Sequence, residues 1–159
     1  MHTDIKWVFK AFDALTTREL YRILQIRNEI FVVGQQILYC DVDDLDMEAI
    51  HLMGIIDDKL IAYCRIFGPG IIEPDACNFG RVGVIPSERG KGYGKSLVYQ
   101  VQQYLRLRWP KLTTIIHAQH YLETYYADLG FQRCSGVYDI VAIPHIDMEW
   151  NHENQQYNN

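Results

Sequence analysis

The run Arg89-Gly90-Lys91-Gly92-Tyr93-Gly94 places three glycines and two cations directly ahead of an amphipathic stretch marked by Leu97, Val101, Tyr104 and Leu105. A loop of this kind before a helix suits a phosphate. Free backbone N–H groups and the positive end of the helix macrodipole both face an anion seated there. Glycine lets the backbone come within hydrogen-bond distance, and Arg89 and Lys91 add charge. Two familiar phosphate patterns fail on spacing. The Walker loop needs four residues between its glycines, whereas Gly90 and Gly94 leave three before Lys95-Ser96. The dinucleotide pattern G-x-G-x-x-G needs glycine at the position held by Lys95. A purely structural turn is the alternative reading of these residues taken alone.

Other residues could carry chemistry or packing. Tyr126, four residues before Gly130-Phe131, can donate a phenolic proton, although a helical tyrosine is more often a core residue. His51, His117 and His145 fall on strand-like runs and titrate nearest neutrality, yet each alone reads first as structural. Asp41, Asp43, Asp44, Asp46 and Glu48 crowd one aperiodic segment. A calcium loop would want an oxygen ligand at 45 and glycine at 46, where the chain has Leu45 and Asp46. No metal is expected there. Arg27 interrupts an apolar stripe of Leu20, Ile23, Leu24 and Phe31, so it needs a carboxylate partner.

The elements that must position these groups follow from periodicity. Alternation predicts a strand over 5–9, and Thr16 with Glu19 has capping-box spacing for a helix behind it. Runs at 51–56 and 60–67, separated by Asp57-Asp58-Lys59, predict an antiparallel hairpin. A strand over 79–85 contains Gly83, which marks a bulge or a close approach to the backbone. The helix after the glycine loop ends before Trp109-Pro110. A strand over 113–118, a helix over 121–129 stopped by Gly130, and strands over 131–134 and 143–150 complete the chain. One domain over 1–150 is expected, with a polar, frayed tail over 151–159 holding four Asn and two Gln.

Composition narrows the classes. A chain of 159 residues with 48% hydrophobic and 22% charged residues folds without needing a metal or disulfide. A net charge of -5 argues against nucleic acid as a partner. Cys40, Cys64, Cys77 and Cys134 form no C-x-x-C pair and read as free thiols in a reducing, cytoplasmic setting. No run is long and apolar enough for a membrane span, and the N-terminus lacks a secretory layout.

The spacing of Arg89, Gly92 and Gly94 resembles the Q/R-x-x-G-x-G/A motif of the GNAT family of N-acetyltransferases, and Tyr126 to Phe131 resembles its Y-x-x-x-G-F element. Arg27-Asn28-Glu29-Ile30-Phe31, Tyr39 with Asp41 and Asp43, His51-Leu52, Gly80-Arg81-Val82, and Ile143-Pro144-His145 with Met148 look like its ElaA-like branch. Together these matches span residues 20–150. Gly34 and Leu38 depart from the branch, standing where it usually has Glu and Pro.

The resemblance implies an α/β (mixed α+β) fold: a mostly antiparallel twisted sheet of about seven strands flanked by helices, its fourth and fifth strands splayed around the cofactor. It implies acetyl-CoA as cosubstrate and an amine, of a small molecule or peptide, as acceptor. Arg89, Gly90, Lys91, Gly92, Tyr93, Gly94 and Lys95 then hold the pyrophosphate. The backbone of Val82, Gly83 and Val84 holds the pantetheine and thioester oxygen, and Gln119, where many relatives carry Asn, contacts the cofactor. Tyr126 becomes the general acid. The base is left open between His51, His117, His145 and water, and the acidic segment is expected to attract a cationic amine. An acyl-homoserine-lactone synthase, a CoA-binding sensor without turnover, and a nucleotide-binding P-loop are the rival readings. The sequence leaves the oligomeric state open, a homodimer included.

Overall fold

The computed structural model describes residues 4–154. Four strands, β1 (Lys6–Ala11), β2 (Ile50–Ile56), β3 (Lys59–Phe67) and β4 (Asn78–Val84), form an antiparallel sheet in chain order. A second sheet has the order β5 (Thr113–Gln119), β8 (Ile143–Asn151), β6 (Gln132–Arg133), with β7 (Tyr138–Ile140) pairing the start of β8. The sheets meet at one parallel bridge, Cys77 to Thr114. There Cys77 donates its N–H to Thr113 O, Ile115 donates to Cys77 O, each at 2.9 Å, and Asn78 Nδ2 donates to Ile115 O at 2.8 Å. Beyond that bridge β4 and β5 part. The mostly antiparallel sheet with a splayed fourth and fifth strand is therefore observed, with short β7 as an eighth strand.

Three helices cover the sheets. Helix α1 (Thr17–Arg27) starts at the expected capping box: Glu19 donates its N–H to Thr16 Oγ1, and Thr16 donates its own to Glu19 Oε2. Its last turn widens into a π-helical segment, Asn28–Val33. The longer helix α2 (Tyr93–Arg108) buries Leu97, Val98, Val101 and Leu105, the three-and-four repeat of a core-facing stripe. Helix α3 is only Glu123–Ala127, preceded by a 3-10 turn at His120–Leu122. The expected helix over 121–129 is thus shorter, because Leu129 and Gly130 turn back onto the helix: Phe131 donates its N–H to Tyr126 O at 3.1 Å.

Two hairpins turn on residues in the left-handed region. Asp57 and Asp58 (φ 47° and 59°) join β2 to β3 as the sequence predicts. Val141 and Ala142 (φ 48° and 59°) join β7 to β8, and because neither favours that conformation the hairpin carries no sequence signal. The expected tail boundary also moves. Asn151 is the last residue of β8, and His152 is buried, bonded to Thr114 Oγ1 at 2.7 Å and to Trp109 O at 2.6 Å. The remainder of that tail, 155–159, lies outside the described residues. All four cysteines are free thiols.

The acidic segment is tied down by three arginines. Arg27, with no exposed surface, donates Nε to Asp41 Oδ2 (2.8 Å) and Nη1 to Asp46 Oδ1 (2.6 Å). Arg65 forks onto both oxygens of Asp43 (2.7 and 2.6 Å) and reaches Asp46 Oδ1 (3.1 Å). Arg81 donates Nε to Asp41 Oδ1 at 2.7 Å. Burial works against the Asp43 charge, but the Arg65 bonds outweigh it and hold that carboxyl below its ordinary range. The backbone of Asp46 serves too, its carbonyl accepting from His51 Nε2 at 2.8 Å. Removing one member leaves buried cations unmatched. Asp46→Ala is therefore expected to destabilise the fold by about 3–5 kcal/mol, read from the urea midpoint.

Candidate active site

Where β4 and β5 diverge, a cleft of about 680 Å³ opens between the two sheets. Its floor is β4. Opposite Cys64 of β3, β4 presents two residues, Arg81 and Val82: Tyr63 pairs with Gly83, and Arg65 with Gly80. This bulge holds Arg81 in the left-handed region (φ 53°) and leaves backbone polar groups outside the β3 ladder. Gly83 lines the cleft, but its missing Cβ has a reason on the protein side. A Cβ there would sit 2.9 Å from Ile30 Cδ1 and 3.1 Å from Phe31 Cζ. The π-helical segment therefore packs its Ile30 and Phe31 side chains directly on β4 at this glycine.

At the end of β4 the chain passes through a 3-10 turn, Pro86–Glu88, into the glycine loop. Gly90 and Gly92 have φ of 76° and 86°, and an added Cβ at either would meet no atom within 4 Å. Backbone handedness, not crowding, demands glycine at both. Gly92 is the N-cap of α2, so the N–H groups of Tyr93, Gly94 and Lys95 in its first turn lack intrahelical partners. Arg89 is anchored to the strand end by Nε donating to Val84 O at 3.0 Å. Lys91 is exposed and bonded to Glu88 at 2.8 Å.

Of the residues singled out from the sequence, Val82, Gly83, Val84, Arg89, Gly94, Gln119 and Tyr126 line the cleft. Gly90, Lys91, Gly92, Tyr93 and Lys95 shape the loop and helix start at its edge without lining it. Tyr126 is only 6% exposed, set edge-on against Tyr125 and Phe131 at centroid distances of 5.1 and 5.6 Å. Burial pushes its phenol far above the ordinary tyrosine value, so it keeps its proton. Its hydroxyl has no hydrogen-bond partner among the described residues. Gln119 donates Nε2 to Gln35 Oε1 at 3.4 Å, a long bond that spans the cleft to the segment after α1.

Tyr125 is a cleft residue that sequence reasoning passed over. Its hydroxyl lies 3.2 Å from where a Cβ on Gly94 would be, over the first turn of α2, and burial pushes the phenol up to about 12. The adjacent tyrosine pair was its only visible signal.

The three histidines separate cleanly. His51 is buried outside the cleft, with Nδ1 on Tyr63 Oη (2.7 Å) and Nε2 on the Asp46 carbonyl (2.8 Å), and burial pushes its imidazole down. His117 lines the cleft, but both ring nitrogens are engaged: Nδ1 with Asp147 Oδ1 at 2.7 Å and Nε2 with Glu73 Oε1 at 2.9 Å. The Tyr138 hydroxyl donates to the same Asp147 oxygen. His145, 8% exposed, places Nδ1 2.7 Å from Ile143 O and also lines the cleft.

Of the five acids expected to attract a cationic amine, Asp44 and Glu48 are exposed and the other three are tied to arginines. Asp41, Asp43 and Asp46 are matched one for one by Arg27, Arg65 and Arg81. No Asp or Glu is among the described residues that line the cleft.

Comparison with known proteins agrees with this architecture. The model of the acetyltransferase (GNAT) domain matches residues 52–152. A UPF0039 protein of Schizosaccharomyces pombe is 34% identical over 148 residues, covering 92% of this chain and 97% of its own length. Protein ElaA of Escherichia coli is 34% identical over 147 residues, covering 91% and 95%, and its crystal structure superposes with a TM-score of 0.86. An acyl-CoA N-acyltransferase from Pseudomonas aeruginosa gives a TM-score of 0.87 at 36% identity, covering 92% of this chain and 99% of its own. With the family model over more than half its residues and these relatives matched nearly end to end, the chain belongs to the GNAT acetyltransferase family, in its ElaA-like branch.

Proposed function

We propose that the chain transfers an acetyl group from acetyl-CoA to the nitrogen of an amine by direct attack on the thioester. The observation that carries this reading is the cleft between β4 and β5. It has a glycine-shaped helix N-terminus at one end and a buried, protonated tyrosine within it. The pyrophosphate is assigned to the loop from Arg89 to Lys95, where unpaired N–H groups and the helix dipole favour an anion. The pantetheine runs along Val82, Gly83 and Val84, and backbone polar groups freed by the bulge serve the thioester oxygen.

In the reaction the amine lone pair attacks the carbonyl carbon, the carbon–sulfur bond breaks, and the sulfur leaves as CoA thiolate. Tyr126 gives its proton to that sulfur. The acceptor is assigned to the part of the cleft lined by Gln35, Tyr39 and Val141 of the β7–β8 turn. With no carboxylate in the lining, apolar walls and amides hold it, so a cationic chain is not selected.

Three outcomes follow. Acetyl-CoA and CoA raise the melting temperature while ATP with magnesium does not; the reverse result makes this a nucleotide site. Tyr126→Phe lowers kcat for an amine substrate by about 100-fold with the Kd for acetyl-CoA within about twofold of the parent; an unchanged rate removes Tyr126 as the acid. The KM of an amine found by library screening stays constant between about 0.05 M and about 0.5 M NaCl, whereas a steep rise reinstates electrostatic capture.

A further inference from the structure

Amine attack on a thioester releases a proton from nitrogen, and something in the cleft must take it. Carboxylates, the commonest bases after histidine, do not line the cleft among the described residues. His51 lies outside it with both nitrogens occupied. His117 lines it but is clamped between Asp147 and Glu73. Only His145 combines a place in the lining with a nitrogen that has no partner among the described residues.

The free nitrogen is also the correct one. A carbonyl can only accept, so the 2.7 Å contact to Ile143 O requires the proton on Nδ1. In the neutral ring this leaves the lone pair on Nε2. The backbone thus fixes the tautomer, as a carboxylate or carbonyl does for histidines that act as bases elsewhere. The ring is further held by Tyr138 of β7, its centroid 6.2 Å away and 28° from parallel, and by its register opposite Gln119 of β5. The titratable and charged groups around it are that Tyr138, the next rung of the sheet with His117 and Asp147 and its attached Glu73, and across the cleft Arg81, Tyr39 and Tyr126.

The geometry points to His145 Nε2 as the general base that accepts the amine proton during acetyl transfer. The assignment rests on the transferase reading above. As the new carbon–nitrogen bond forms, the N–H proton passes to Nε2; as the carbon–sulfur bond breaks, Tyr126 protonates the thiolate. The imidazolium then returns its proton to solvent, and Tyr126 recovers one from solvent, so atoms and charge balance. His145 lies on β8 and Tyr126 on α3, so the two proton transfers use separate groups.

The test uses His145→Asn, whose side-chain amide can still donate to Ile143 O, with phenethylamine and hydroxylamine as probe acceptors. Expected is a fall of about 100-fold to about 10,000-fold in kcat/KM at unchanged melting temperature and unchanged Kd for acetyl-CoA. Added imidazole should restore part of the rate, and the alkaline rise of the parent's pH–rate profile should flatten. Nitrogen-15 spectra of the parent should show His145 protonated on Nδ1 with a bare Nε2. An active parent with a variant within about threefold of it overturns this assignment alone and passes the proton to water. Loss of rate with a lowered melting temperature and no imidazole rescue also overturns it, making His145 structural. A parent that binds acetyl-CoA yet acetylates neither probe, or any amine of a wider library, overturns the transferase reading and this assignment with it.

Discussion

Among the described residues Cys77 and Thr114 make the one bridge between the two sheets, and the cleft descends from how little they hold. A continuous ladder between β4 and β5 would satisfy both backbones and leave no space. Pairing at one end only lets the strands open like a hinge, with Asn78 bracing the closed end against Ile115. The open end then faces two demands at once. Backbone groups there need partners, and the walls must not collapse into the gap. The bulge at Arg81 and Val82 belongs to the first demand, because it turns β4 away from a ladder it cannot complete.

The second demand falls on elements outside the seam. The π-helical segment lays Ile30 and Phe31 over Gly83, and the segment that follows is held by Arg27, Arg65 and Arg81 on Asp41, Asp43 and Asp46. These ions are costly to desolvate, and their net charge cancels. What they give is position. Each arginine comes from a different element, α1, β3 and β4, so the segment is registered against helix and sheet together. On the other wall His117, Asp147, Tyr138 and Glu73 join β5, β8, β7 and the loop before β4 in the same manner. Both walls are thus fixed by polar clusters, which reach the cleft itself only at Arg81 and His117 among the described residues.

Local chemistry was legible in the sequence wherever a few adjacent residues determine the outcome. The Thr16 and Glu19 capping box, the Asp57-Asp58 hairpin and the glycine spacing from Arg89 to Gly94 all depend on contacts within one turn or loop. Arg27 was readable as a paired cation because a buried guanidinium has no other option, but not its partners, which lie across a loop. Long-range consequences stayed hidden. The π-helical turn packs on Gly83 of another element, and the β7–β8 hairpin turns on Val141 and Ala142 against their own preferences. The pairing of Asp41, Asp43 and Asp46 was hidden because their arginines are supplied from elsewhere in the chain. Likewise the histidines looked equivalent until their second nitrogens could be followed to Glu73, to Asp46 and, for His145, to no partner among the described residues.

The anchoring of the acidic segment separates two jobs along one stretch of chain. Its grip on the fold lies at positions 41, 43 and 46, while the side chains it offers to the cleft lie earlier, at Gln35, Ile37 and Tyr39. Exchange of Gln35 or Ile37 can reshape the opening, whereas Tyr39 is tied to the ions, its hydroxyl donating to Asp41 Oδ1 at 3.1 Å and its ring facing Arg81. That arrangement resembles a recognition loop mounted on a fixed framework. It leaves residues that face the cleft free to vary while the glycine loop and β4 stay as they are. Gly34 and Leu38, the two departures from the branch pattern, both fall within or beside that adjustable stretch.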